Sequence, residues 1–280
     1  IQRLSKGSVI YELGATIDGL ENLDQIRNKA ANSDAIIICL GEKPCTEKPG
    51  DIEDLNLSLP QKQLVKELKS TGKPIVMVLV LNRPRIIHDI EPLADAIIQC
   101  YLPGDYGGEA LAQIIYGEVN PSGKMPFTYP RYSGSLVPYD HKYTERLDKN
   151  FGNEAFNPQW EFGYGLSYSV FEYANLQVEK KLYSKNETLK CSIEVKNASD
   201  VKGKEVVQVY VSDKVASVTP SVKRLRAFKK INLNAGETKK VEFEIPVSQL
   251  SFVDAYNNWV IESGAFKLEI ASLNTEFQVK

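Results

Sequence analysis

The spacing of apolar residues divides the chain into two parts with different periods. Between residues 8 and 130, short continuous apolar runs alternate with segments of helical spacing. Val9-Ile10-Tyr11-Glu12-Leu13 reads as a strand, and in Gly19 to Ala31 the residues Leu20, Leu23, Ile26 and Ala30 share one helix face. Ala35 to Leu40 is a second strand. Pro60 to Leu68 is helical, with proline in the first turn. Pro74 to Leu81 is a third strand, apolar enough that both its faces must be covered. Ala96 to Leu102 is a fourth, and Gly107 to Tyr116 a further helix. Such alternation predicts a mostly parallel sheet flanked by helices.

Residues 131–165 have no clean period. They are rich in Pro, Gly, Tyr and Asn, and they carry Phe151, Phe156, Trp160, Phe162 and Tyr164. An ordered linker that packs against the rest of the protein is expected there. From Phe171 the period becomes 2, as in Thr188 to Val195, Val206 to Val211, Lys240 to Ile245 and Ala265 to Ile270. Asn197-Ala-Ser-Asp, Asn234-Ala-Gly-Glu, Asn257-Asn and Ser263-Gly separate these runs as turns. About seven short strands in about 110 residues predict an antiparallel β-sandwich. The fold class is therefore α/β followed by all-β, with an α/β domain over 1–130, a linker over 131–165 and a sandwich over 166–280.

Composition narrows the functional classes. The chain has 280 residues, natural for two domains, with 42% hydrophobic and 25% charged residues. A formal net charge of -2 supplies no basic field for nucleic acid or an anionic membrane. No apolar run is long enough to span a bilayer. The chain opens on Ile1 without Met, as expected of a processed chain or a piece of a larger one. Its four cysteines, Cys39, Cys45, Cys100 and Cys191, lack metal-like spacing and read as buried thiols. The two histidines, His88 and His141, are far apart in sequence, so neither a histidine metal site nor a histidine-based triad is expected. No cofactor is implied.

The chemistry concentrates after the second strand. Gly41 to Asp51 is long, charged and stiffened by Pro44 and Pro49, and it leaves the carboxyl end of a strand in a parallel sheet, where ligands gather. Glu42, Glu47, Asp51 and Asp54 are its candidate acids. Glu42 follows the strand directly and is expected to anchor the loop's base; Asp51 is placed to hydrogen-bond local backbone. The glycines Gly104, Gly107 and Gly108 precede a helix but have neither phosphate-loop spacing, and they read as close backbone packing.

Five segments, in this order, resemble glycoside hydrolase family 3, the β-glucosidase and exo-glucanase group. Gly41-Glu-Lys-Pro-Cys-Thr-Glu-Lys-Pro-Gly-Asp51 resembles its GE-x-P-x-x-E-x-x-G-D loop, and Leu57 to Gln63 its L-x-L-P-x-x-Q helix entry. Leu102 to Gly108 resembles P-G-x-x-G-G, Asn120 to Pro126 resembles N-P-S-G-K-L-P, and Phe162 to Tyr168 reads F-G-Y-G-L-S-Y. Gly203 to Tyr210 and Leu225 to Lys230 resemble the fibronectin type III-like domain that closes many of these enzymes. Leu81-Asn82-Arg83-Pro84 lacks the glycine of the family's S-G-R-P or N-G-R-P, so no role is carried over to that turn.

The resemblance implies the C-terminal part of a retaining, exo-acting β-glucosidase-like hydrolase. Glu47 would be its general acid/base, and the Asp nucleophile would sit on an N-terminal barrel domain that nothing here resembles. It implies a β-glucoside or β-glucan oligosaccharide as substrate, that barrel as partner, no metal, and a periplasmic or secreted location. The chain alone is then expected to be inactive. The alternative from residues alone is a non-catalytic carbohydrate-binding or scaffold protein with a fibronectin-like module.

Overall fold

The computed structural model describes every residue except 45–47, 143–155 and the side chain of Pro49. The described residues cluster into two compact units, 1–119 with 129–135, and 120–128 with 136–280.

In the first unit, β1 (Ile36–Gly41), β2 (Ile75–Val80) and β3 (Ala96–Gln99) form a sheet of order β1-β2-β3. Both pairings are parallel, with Ile36 opposite Ile75 and Val76 opposite Ala96. Met77, Val78 and Leu79 on the central strand are all 0% exposed. Successive strand residues face opposite sides, so both faces of β2 are covered. That is why its sequence is a continuous apolar run instead of an alternation. Helix α1 (Leu23–Ala31) precedes β1, α2 (Leu59–Lys69) crosses from β1 to β2, and α3 (Gly107–Ile115) follows β3. Helix α2 carries Pro60 in its first turn and Lys66 and Lys69 in its last, which suits the helix dipole. It buries Leu64, Val65 and Leu68.

The expected strand at Val9 to Leu13 does not form; those residues make no strand pairing among the described residues. Tyr11 is 84% exposed, and Val9, Ile10 and Leu13 are exposed as well. Apolar residues with β propensity become a strand only where a sheet edge offers partners, and β1 meets none there. The expectation of buried thiols holds for Cys191, whose thiol burial pushes up to about 12. It fails for Cys39, which is exposed because it alternates with buried Ile38 and Leu40 on β1, and Cys100 is half-buried. Cys45 lies outside the described residues.

The second unit is a two-sheet sandwich. Its strands are β4 (Phe171–Val178), β5 (Leu182–Tyr183), β6 (Thr188–Asn197), β7 (Gly203–Asp213) and β8 (Arg224–Leu233). They continue with β9 (Thr238–Pro246), the small hairpin β10 (Phe252–Val253) and β11 (Trp259–Val260), then β12 (Gly264–Ile270) and β13 (Leu273–Val279). One sheet has the order β5-β13-β12-β7-β8 and the other β4-β6-β9. Leu189, Cys191, Ile193 and Val195 on β6 meet Val207, Val209 and Val211 on β7, with Phe266 and Phe277, in one core. The period-2 runs of the sequence are these inward-facing positions.

Two loop segments are locked onto this sandwich. Asn120 Nδ2 donates to Ser169 Oγ (2.9 Å) and Lys202 O (3.1 Å), and its Oδ1 accepts from Ser167 Oγ and the Tyr168 amide. Lys124 Nζ donates to Gly165 O (2.8 Å) and pairs with Glu205 (3.2 Å). Met125 N donates to Tyr164 O, and Gly163 N to Met125 O. A Cβ on Gly165 would lie 2.3 Å from the Gly123 carbonyl. Gly165→Ala is therefore expected to destabilise this unit by about 1–3 kcal/mol, because backbone atoms cannot swing aside as a side chain can. Urea unfolding checks this; an unchanged midpoint would contradict the close approach.

Asp140 ties the linker to β8. It accepts from Arg224 Nη2 (2.5 Å) and from the Ser221 hydroxyl. Partial burial pushes its carboxyl up, but the bonds from Ser221 and Arg224 and the charges of Arg224 and Lys142 outweigh that and hold it below the usual range. The stabilisation is thus present above the unfolded carboxyl's pKa of about 3.9 and lost as pH falls through the lower folded value. Asp140→Asn is expected to flatten the acid limb of stability below about pH 4, measured by thermal unfolding from pH 2 to 6. An identical acid limb in the variant would rule out the pairing as its source.

Candidate active-site loop

Three segments leave the carboxyl edge of the parallel sheet: the loop after Gly41, the turn after Val80 and the turn after Gln99. The first is the charged loop. Its base is built by close packing, since a Cβ on Gly41 would meet the Val80 carbonyl at 2.8 Å. Gln61 on α2 grips the same residue twice: Gly41 N donates to Gln61 Oε1 (2.8 Å), and Gln61 Nε2 donates to Gly41 O (2.9 Å). Gln61 is buried, whereas Gln63, the glutamine of the quoted helix-entry motif, is exposed.

Glu42 is the loop's anchor. Its side chain is only 7% exposed. Glu42 Oε1 accepts from the backbone amides of Asn82 (2.9 Å) and Arg83 (3.1 Å). Its Oε2 accepts from Arg85 Nε (2.9 Å) and pairs with Arg85 Nη2 (2.8 Å) and Arg83 Nε (3.3 Å). The same two arginines reach the far side of the loop. Arg83 Nη1 donates to Gly50 O (2.5 Å), and Arg85 Nη1 donates to Asp54 O (3.0 Å) and Asn56 O (3.3 Å). The turn after β2 therefore clasps both limbs of the loop through Arg83 and Arg85. A buried carboxylate needs such charged partners, and the guanidinium fork supplies several donors in one plane.

The remaining acids separate cleanly. Asp54 Oδ1 accepts from the Asn56 backbone amide (2.9 Å) and side chain (2.8 Å), which hold its carboxyl below the usual range. Asp54 thus caps the backbone two residues on, and Asp51 is exposed. Lys62, nearly buried, reaches Asn56 Oδ1 (3.1 Å) and Asp89 (2.7 Å), fastening the loop's exit to α2. Glu47 lies outside the described residues, with Cys45 and Thr46.

The other sequence candidates have structural surroundings. Gly107 packs against Pro103, where a Cβ would be 2.4 Å from the ring, and Gly104 has φ +67°. His88 is edge-on to Tyr132 (4.8 Å) and near Arg131. His141 is buried and stacked on Phe156 (3.5 Å). Among the described residues, no group of three or more His, Cys, Asp or Glu could hold a metal ion. No described helix is long and apolar enough to cross a membrane. Sequence reasoning missed Gln61 and the two arginines, whose roles depend on distant backbone.

The chain thus joins a parallel α/β sheet, with a clasped, acid-bearing loop at its carboxyl edge, to a β-sandwich that follows it in sequence. Residues 5–168 match the model of the glycosyl hydrolase family 3 C-terminal domain, and residues 205–273 match that of a fibronectin type III-like domain. The chain belongs to glycosyl hydrolase family 3. It is 36% identical to a lysosomal beta glucosidase of Dictyostelium discoideum over 95% of this chain and 33% of that protein. It is 37% identical to a beta-xylosidase of Formosa agariphila over 94% of this chain and 37% of that one. A crystal structure of a beta-glucosidase from Listeria innocua in complex with glucose is similar, with a TM-score of 0.86 and 32% identity. That likeness covers 92% of this chain and 38% of the other. The chain thus spans about a third of the length of the curated relatives it matches.

Proposed function

We propose that this chain supplies the general acid/base loop of a retaining, exo-acting β-glucosidase-like hydrolase, with Glu47 as the acid/base. The observation that carries the reading is the clasp. A charged loop on the carboxyl edge of a parallel sheet is held at both limbs by Arg83 and Arg85, which fits a segment that must present one side chain steadily. Of the four candidate acids, Glu42 is committed to the clasp and Asp54 to its own turn. In the sequence Glu47 falls between Glu42 and Gly50, at the position of the family's P-x-x-E pattern.

The chemistry follows from two carboxyl groups about 5–5.5 Å apart. A nucleophilic carboxylate, here assigned to a barrel domain of the same enzyme, attacks the anomeric carbon and forms a glycosyl ester as the glycosidic bond breaks. Glu47 gives its proton to the departing oxygen, then takes one from the water that hydrolyses the ester. The substrate is a β-glucoside or β-glucan oligosaccharide, and the enzyme acts in the periplasm or outside the cell. The test is an aryl β-glucoside assay of the 280-residue chain, alone and mixed with a family 3 barrel domain. Activity that requires the barrel supports the reading; hydrolysis by the chain alone overturns it.

A further inference from the structure

The sandwich unit holds an open cleft of about 640 Å³ between the segment 156–164 and strands β7 and β12. That volume is in the range of small-ligand sites, roughly 300–1,000 Å³. The cleft is built, not incidental. Gln208 Nε2 donates to Gly163 O (3.1 Å), and Gln208 Oε1 accepts from the Tyr210 hydroxyl (2.7 Å). Gly163 has φ +83°, a conformation that favours glycine, and a Cβ there would sit 2.3 Å from Gln208 Oε1 and displace that side chain. The segment is thereby pinned with its aromatic residues along the cleft.

The lining selects a class of ligand. The Trp160 and Tyr164 rings stack on each other, 13° apart in plane with centroids 6.3 Å apart, and both residues line the cleft. Lys223 stands over the Tyr210 ring at 5.0 Å and bridges Glu161 (3.5 Å) and Glu269 (3.8 Å). Lys223 is the one cationic residue among the described lining, which includes Glu161, Glu205 and Glu269, so an anionic ligand is disfavoured. The carboxylates already share Lys223 and Lys124, which removes the pull on a free cation. A purely apolar ligand would desolvate these charges without pairing them. What remains is a neutral molecule with flat apolar faces and many hydroxyls. Its C–H faces pack on aromatic rings, while its hydroxyls donate to carboxylates and accept from an ammonium.

We propose that this cleft is a saccharide-binding site for a neutral oligosaccharide, packed against the Trp160–Tyr164 stack and oriented by Glu161, Lys223 and Glu269. The cleft is made by the sandwich unit's residues alone and does not depend on the assignment of Glu47. The experiment is calorimetric titration of the 280-residue chain with β-1,4- and β-1,3-linked glucose trisaccharides, with digalacturonic acid as the acidic comparison. Saturable binding of at least one neutral trisaccharide is expected, with none of the acidic sugar. Tyr164→Ala, at an exposed position, and Trp160→Ala should each weaken it about tenfold or more while the melting temperature and near-UV circular dichroism confirm folding. Glu269→Gln should weaken it without altering the fold. No saturable binding of either neutral trisaccharide overturns the proposal, as does unchanged affinity in a folded Tyr164→Ala chain.

Discussion

Replacing Glu47 by Ala in the complete enzyme is expected to slow hydrolysis of alkyl and oligosaccharide β-glucosides by about 100- to 10,000-fold. The loss should depend on the leaving group. An alkoxide departs slowly without a proton, so such substrates lose their first step. A nitrophenolate leaves unaided, so the glycosyl-enzyme still forms and its hydrolysis becomes limiting, because the water is no longer activated. Azide needs no base. It should restore turnover of activated substrates and release a glycosyl azide of retained configuration. Equal losses across leaving groups, with no azide rescue, would move the acid to another residue. Asp51, exposed on the same loop, would then be the next to test.

Glu42→Ala should have the largest effect on stability. The Glu42 carboxylate is 7% exposed and Arg85 15%, so the pair is largely out of water. Removing the anion takes the buried carboxylate away from the Arg85 and Arg83 guanidinium groups and from the amides of Asn82 and Arg83, and leaves the two arginines only their bonds to neutral groups such as Gly50 O and Asp54 O to offset their charge. Breaking a buried pair in this way costs about 3–5 kcal/mol. In a unit of this size that lowers the melting temperature by roughly 10 °C or more. Glu42→Gln keeps the shape and part of the hydrogen bonding and should lose less. The loop should also become more open, seen as faster amide exchange at Lys43, Lys48 and Asp51. Both variants unfolding like the parent would mean that the clasp contributes nothing.

The two experiments separate role from support. Glu47 is read as acting on substrate, so its loss should leave the melting temperature unchanged. Glu42 acts through Arg83 and Arg85 on where the loop lies, so its loss should show first in stability and exchange.

The candidate site was legible only in part. Position at a strand's carboxyl end, charge and paired prolines marked the loop, but the residues alone left Glu42, Glu47, Asp51 and Asp54 side by side. The likeness to family 3 singled out Glu47, which lies outside the described residues, and the structure accounts for Glu42 and Asp54 by their bonds. Gln61, Arg83 and Arg85 carried no local signal. A glutamine in a helix and arginines beside a proline look like solvated surface until the sheet brings Gly41, Gly50 and Asp54 to them.

By itself the sequence determined the two periods and hence the two architectures. A strand buried on both faces, as β2 is, must be apolar at every position, and a strand with one face in a core must alternate, as β6 does. Both rules act residue by residue, so they are written locally. Tertiary structure alone decided the rest. Val9 to Leu13 has strand-like residues but no strand, because a strand is a set of hydrogen bonds to a neighbour and the described residues supply none. Residues 120–128 belong with the sandwich because Asn120 and Lys124 bond to Ser169, Lys202, Gly165 and Glu205, some 40 to 80 residues later. The clasp and the cleft are likewise made by groups far apart in the chain. A pattern along the sequence records which face of each element is buried, whereas a buried charge or a ligand cleft depends on which distant backbone is brought against it.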